Sequence, residues 1–374
     1  MGGMDPRDLL DLSRDELAAT LASWGDPPFR AQQVWEWVWK HLATDFDQMT
    51  SLPTGLRARL AGAFTVAVPG VAGHRSDDQG TEKVLLRLAD GQTIETVLIR
   101  EDNRRTVCIS TQVGCPVGCA FCATGRMGYT RDLSAGEIAA QVLHSARELG
   151  AHGEGLTHVV LMGMGEPLLN YDATLKAIRN LNEGHGFALG ARRFTVSTIG
   201  VVPGIRRLAG ENLQVNLAVS LHAPSDTLRR RIVPSARRWT IRDILAAADA
   251  YAEVTGRRVS YEYVLLAGVN DHLYHARALA ALLRGRLAHV NLIPFNPAPG
   301  LPFQRPDPQS VDAFRRELIR RGVDATVRRS RGVDIQAGCG QLRAEADCPS
   351  SGAARDSSPV GGESRCATQE EPGR

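Results

Sequence analysis

The spacing of apolar residues changes along the chain, and each change predicts a different kind of element. From residue 1 to about 75 the spacing is helical: Ser13 and Glu16 form a capping box ahead of Leu17, and Phe29 to Leu42 threads apolar residues through polar ones. Between Lys83 and Ile109 the period shortens. Val84-Leu85-Leu86-Arg87-Leu88 and Thr93-Ile94-Glu95-Thr96-Val97-Leu98-Ile99 flank Ala89-Asp90-Gly91, which predicts a β-hairpin with an Asp-Gly turn. Beyond it short apolar strands alternate with longer helical segments. Strands are expected near 106–111, 158–163, 193–198, 214–221, 259–266 and 288–294, with a weaker seventh at 324–329. Several, such as Val159-Val160-Leu161-Met162, are continuously apolar, as strands buried on both faces of a parallel sheet are. Helix starts are marked by Ser134 with Glu137, Thr240 with Asp243, and Asp307 before Pro308.

Repeated strand-then-helix units predict an α/β fold, a partial (βα)6 TIM-like barrel carrying a small N-terminal helical domain and a β-hairpin extension. The expected divisions are a helical domain over 1–75, a hairpin linker over 76–100, the barrel over 101–334, a cysteine-bearing loop over 335–343 and a tail over 344–374. The tail holds no Leu, Ile, Phe, Met, Trp or Tyr and is expected to stay disordered, with Cys348 and Cys366 incidental to function. Trp24, Trp35, Trp37 and Trp39, four of the five tryptophans, fall in the helical region. Core packing is the plain explanation; a base-stacking surface flanked by Arg30 and Lys40 is the functional alternative.

Composition narrows the function classes. With 374 residues, 43% of them hydrophobic and 23% charged, and no apolar run of membrane-spanning length, the chain is neither disordered overall nor a membrane span. Seven cysteines are too few for a disulfide scaffold of this length, and the first residues resemble no secretory leader. Pro6 occupies the position where a myristoylation signal needs Ser or Thr. A cytoplasmic monomer is expected. Net charge is only +3, yet lysine occurs only at Lys40, Lys83 and Lys176, so 41 of the 44 basic residues are arginine. Arginine suits phosphate and base recognition, and a GC-rich coding bias would produce the same excess.

The sharpest chemical signal is Cys115-Pro-Val-Gly-Cys119-Ala-Phe-Cys122, in the loop after the first barrel strand. Three thiolates at this spacing can hold three corners of a [4Fe-4S] cluster and leave the fourth iron open. A zinc site completed by Cys108 and a disulfide framework are the alternatives. Cys339, between Gly338 and Gly340, reads either as a small buried thiol or as a reactive residue on a loop able to reach the barrel mouth.

The CxxxCxxC loop with Phe121 before its last cysteine resembles the radical S-adenosylmethionine (SAM) superfamily. The run from Cys108 to Leu133, the segments Gly163 to Asn170, Thr195 to Thr198, Ser220 to Ala223, Asn291 to Pro297 and Ala337 to Leu342 are similar to the RlmN-type branch. Its members are dual-specificity adenine-C2 methyltransferases of 23S ribosomal RNA and transfer RNA. The likeness runs in order from about residue 5 to 343. It implies Cys115, Cys119 and Cys122 as cluster ligands and Gly165, Glu166, Ser197, Ser220, Leu221, His222 and Asn296 as SAM contacts. It further implies Cys339 as an S-methylated carrier attacked by a 5′-deoxyadenosyl radical, Glu95 as proton acceptor, and Cys108 as the thiol that resolves the RNA adduct through a transient disulfide. The implied partners are 23S ribosomal RNA before full ribosome assembly, transfer RNA, and an electron donor such as flavodoxin or ferredoxin. Against this, Glu95 shares a strand face with Thr93 and Val97 and could be an ordinary solvated carboxylate. Arg192-Arg193, Arg229-Arg230-Arg231, Arg237-Arg238 and Arg328-Arg329 are candidates for holding RNA. The related enzymes that methylate carbon 8 of the same adenine are the alternative.

Overall fold

The computed structural model describes residues 7–297, 300–328 and 342–343. Cys339 and the tail cysteines lie outside them, as does Arg329. The chain opens with strand β1 (Arg7–Asp8) and helices α1 (Arg14–Ser23), α2 (Phe29–Trp39) and α3 (Thr54–Ala63), followed by β2 (Phe64–Thr65), which pairs parallel with β1. Ser13 and Glu16 form both bonds of the capping box that starts α1. On α2, Trp35 and Trp39 are one helical turn apart, wholly buried and stacked with ring centroids 5.0 Å apart. Packing is therefore their use, and the stacking-surface alternative does not apply to these two.

Next come β3 (Gly70–Ser76), β4 (Thr81–Arg87), β5 (Thr93–Glu101) and β6 (Arg104–Cys108), an antiparallel run. The β4–β5 hairpin turns through Gly91 at φ +82°. A second hairpin, β7 (Gln112–Gly114) with β8 (Tyr129–Asp132), brackets the cysteine loop and the short helix α4 (Ala123–Arg126). From there the order is α5 (Ala135–Ala151), β9 (His158–Leu161), α6 (Tyr171–Asn182), β10 (Phe194–Thr198), α7 (Val202–Ala209), β11 (Asn216–Ser220), α8 (Asp226–Ile232), α9 (Ile241–Thr255), β12 (Val259–Leu265), α10 (Leu273–Leu283), β13 (Ala288–Pro294), α11 (Pro308–Arg320) and β14 (Ala325–Val327).

One ten-stranded sheet runs β14-β13-β12-β11-β10-β9-β6-β5-β4-β3. From β6 to β14 every pairing is parallel. Six parallel strands in chain order, each followed by helix, followed by a short seventh, are the connectivity of an unclosed (βα)6 barrel. Ser134, Thr240 and Asp307 cap α5, α9 and α11 as their sequence signals predict. The N-terminal region packs against α5 and α6. Asn180 of α6 donates to the Leu12 carbonyl (2.9 Å), the first turn of α5 donates through Gly136 N to Asp11 (2.7 Å), and Arg147 reaches the Leu42 carbonyl (2.9 Å). Strand β3 falls within the stretch expected to be helical: its residues are largely exposed and include two glycines, so no apolar period marks it. No described helix is long and apolar enough to cross a membrane.

Candidate active site

The barrel residues singled out for the cluster, SAM and the resolving thiol lie at the carboxyl ends of parallel strands or just beyond, the end where loops of such barrels carry chemistry. Cys108 ends β6, Ser197 is the penultimate residue of β10, Ser220 ends β11, and Asn296 follows β13.

The cysteine loop is fixed from both sides. Gly114 adopts φ +82°, and a Cβ there would stand 2.1 Å from the Gly128 carbonyl oxygen, so only glycine lets β7 and β8 close the base of the loop. Cys115 N donates to that same carbonyl (2.8 Å), Cys122 N to Cys119 O (3.1 Å), and Ala120 N to Ile232 O at the end of α8 (2.9 Å). The Phe121 ring meets His222 edge-on at 4.9 Å between centroids, coupling the loop to the end of β11.

Glycines Gly163 and Gly165 are demanded by close packing against the segment after β6. A Cβ on Gly163 would stand 2.6 Å from Ile109 O, and one on Gly165, at φ +106°, 2.7 Å from Gln112 Cβ. Gly165 and the charge of Glu166 both act on the Cys115 thiol, which sets this turn beside the cysteine loop. Glu166 is buried and its carboxylate works inside the protein, accepting from Ile199 N (2.7 Å) and Leu168 N (3.1 Å). Burial raises its pKa to about 7 against the opposing pull of these donors and of Arg229. His222 holds φ +60°, accepts at Nδ1 from Val264 N (3.1 Å), and is pushed down to about 3 by burial and by Arg229, so it is neutral. Leu221 is wholly buried, and its N–H joins that of His222 on the Glu262 carbonyl. Asn296 is half-buried and accepts from Arg305 (2.6 Å).

Arg229 departs from its expected use. It is 1% exposed and its guanidinium donates to the carbonyls of Ile199 and Leu221 (3.1 Å to the latter), joining the ends of β10 and β11. It is therefore a buried tie and cannot grip RNA. Its place on α8 in register with the buried Ile232 and Val233 was the available signal, hidden by its two exposed arginine neighbours. Arg192 and Arg193 precede β10, at the opposite end of the strands from the cysteines; Arg230, Arg231, Arg237 and Arg238 are exposed beyond β11, at the same end. Arg328 is exposed, follows β14, and its charge reaches Cys108.

Glu95 is not the solvated carboxylate of the alternative reading. Both faces of β5 are covered, and the carboxylate is 2% exposed rather than solvated. Its Oε2 lies 2.9 Å from Lys83 Nζ on β4, and its Oε1 accepts from Arg343 N (2.8 Å), close to the end of the segment that carries Cys339. The charges of Lys83 and Glu95 both act on the Cys108 thiol, which burial pushes up, and that of Glu95 acts on Cys122. Glu95, Cys108 and the cysteine loop thus share one neighbourhood. Lys83 was missed by sequence reading.

Residues 109–279 match the radical SAM superfamily, and residues 7–66 match the ribosomal RNA large subunit methyltransferase N-terminal domain. The probable dual-specificity RNA methyltransferase RlmN of Symbiobacterium thermophilum is 50% identical over 334 residues, spanning 89% of this chain and 90% of its own. The chain belongs to the RlmN family of radical SAM methyltransferases. Dual-specificity RNA methyltransferase RlmN 1 of Myxococcus xanthus is 49% identical over 338 residues, spanning 90% of this chain and 94% of its own. A crystal structure of a radical SAM methyltransferase from Sphaerobacter thermophilus is 53% identical and superposes with a TM-score of 0.88 over 91% of this chain and all of that one.

As a radical SAM enzyme the RlmN-family chain uses a [4Fe-4S] cluster and SAM. The residues present suit that cluster. Burial pushes all three thiols up, Cys115 to about 12, and at Cys119 the charges of Cys122 and Cys115 add to the effect. The mutual effects of their charges place the three thiols together, as ligands of one cluster must be. Cys108 stands at the end of β6 among the charges of Glu95, Lys83 and Arg328.

Proposed function

We propose that this enzyme methylates carbon 2 of one adenine in 23S ribosomal RNA and in transfer RNA, with Cys339 as the methyl carrier. The observation that carries the reading is Glu95, a buried carboxylate beside Cys108 that also binds the backbone of Arg343, four residues after Cys339. Carbon 2 lies between two ring nitrogens and is too electron-poor to attack the methyl of SAM as an amine or thiolate would. The cluster and SAM supply, when bound, a one-electron cleavage that yields a hydrogen-abstracting radical. Cys115, Cys119 and Cys122 hold the cluster; Gly165, Glu166, Ser197, Ser220, Leu221, His222 and Asn296 form the SAM site. Cys339 takes a methyl group by displacement and presents it to the base, Glu95 receives the ring proton, and Cys108 attacks the Cys339 sulfur, releasing methylated adenine and leaving a disulfide for an external reductant.

RNA is held at the cysteine end of the barrel by Arg230, Arg231, Arg237 and Arg238, the target base leaves its stack to reach the mouth, and a flavodoxin- or ferredoxin-type protein donates the electron in the cytoplasm. Mass spectrometry of digested RNA after reaction tests the regiochemistry: 2-methyladenosine is expected, and 8-methyladenosine would overturn the reading. Cys339→Ala is expected to abolish methylation, and Cys108→Ala to accumulate a protein–RNA crosslink visible on a denaturing gel.

A further inference from the structure

We propose that Lys83 is a positioning residue for the methyl transfer, holding Glu95 as a charged carboxylate beside Cys108 so that it can accept the adenine proton. The inference rests on the reading of Glu95 as that acceptor. Of the three lysines in the chain, one stands at a wholly enclosed position. Lys40 is exposed and Lys176 meets Glu16 on the surface, whereas Lys83 is 0% exposed. In the β4–β5 register Lys83 faces Val97 and Leu85 faces Glu95, so the pair crosses the sheet diagonally and closes to 2.9 Å.

Stability does not explain the pair, because a buried ion pair about breaks even against well-packed apolar side chains. Its chemistry does. A carboxylate removed from water favours the neutral acid, which cannot take a proton, and a neighbouring ammonium reverses that preference. The same charge acts on Cys108, where it favours the thiolate needed to attack Cys339. The step served is acid–base only: the carbon 2–hydrogen bond of the adduct breaks, its electron pair stays in the ring, and the proton moves to a Glu95 oxygen.

The test compares Lys83→Gln, Lys83→Arg, Glu95→Gln and the Lys83→Gln/Glu95→Gln double variant, each cluster-loaded and with folding verified. The readouts are methylated adenine formed per 5′-deoxyadenosine and the effect of deuterium at adenine carbon 2 of the RNA. A positioned base contributes roughly 10²–10⁴-fold, so Glu95→Gln is expected to lower the ratio by about 10² or more. Lys83→Gln, which keeps a hydrogen-bond donor and removes the charge, is expected to lower it at least about tenfold and to bring out a primary isotope effect absent in the wild type. Lys83→Arg should recover most of the ratio, and the double variant should match Glu95→Gln. Wild-type behaviour of Lys83→Gln, a Lys83→Arg as impaired as Lys83→Gln, or a double variant well below Glu95→Gln would each overturn the proposal. If Lys83→Gln does not fold, Lys83→Arg decides: a retained ratio supports the charge and a lost one overturns it. A Glu95→Gln variant with the wild-type ratio would instead remove Glu95 as base, an outcome none of the others mimics.

Discussion

At the scale of single residues, burial sets what charged groups can do. Asp8 is partly buried where the N-terminal helices meet α5, accepting from Leu10 N (3.0 Å) and Ala67 N (3.1 Å), and burial raises its pKa from 3.8 to about 6. The folded state then holds a proton that the unfolded chain releases between pH 4 and 6, so this group's contribution falls as pH rises through that window and is level above it. Asp8→Asn is expected to be more stable than wild type at pH 7 by up to about 2–3 kcal/mol and equal to it near pH 4, as read by denaturant titration at the two pH values. Glu95 and Arg229 teach the complementary lesson about legibility. Alternation along a strand says which residues share a face but not whether the second face is covered, and β5 is covered on both. A run of three arginines looks uniform in sequence, while a helix turns its first member inward beside Ile232.

Among elements, the devices that frame the cysteine loop are local and testable. Gly114→Ala would force a Cβ into the Gly128 carbonyl, so the β7–β8 hairpin must open. Iron content per chain after anaerobic reconstitution is expected to fall well below that of Gly150→Ala, a helical glycine of α5 whose surroundings are open. Arg229→Met strands the carbonyls of Ile199 and Leu221 at the ends of β10 and β11; a loss of about 2–4 kcal/mol in denaturant stability is expected, with weaker SAM binding by calorimetry. Most of these elements are visible in the sequence because local rules and packing agree: the capping boxes at Ser13, Ser134 and Thr240 all form, and the apolar runs of β9 to β13 are the central strands. The β7–β8 hairpin was not legible, since its two strands are three and four residues long and are separated by the cysteine loop itself.

For the whole molecule, topology sorts the arginines into two ends. Substituting Arg230, Arg231, Arg237 and Arg238 by Gln is expected to weaken RNA binding and to flatten its dependence on salt by about one unit of log–log slope per lost phosphate contact. Arg192→Gln with Arg193→Gln, at the far end, should leave both unchanged in the same filter-binding titration. Strand β3 carries a different consequence. Among the described residues the sheet ends at β3 and leaves a row of backbone donors and acceptors at that margin, an invitation to other chains during synthesis and storage. This margin is kept unattractive: β3 is short of apolar side chains, carries His74 and Arg75, and is bent by an irregularity between Val71 and Gly73. The residues that made it invisible as a strand also leave that margin poor in the apolar side chains with which a further strand would pair.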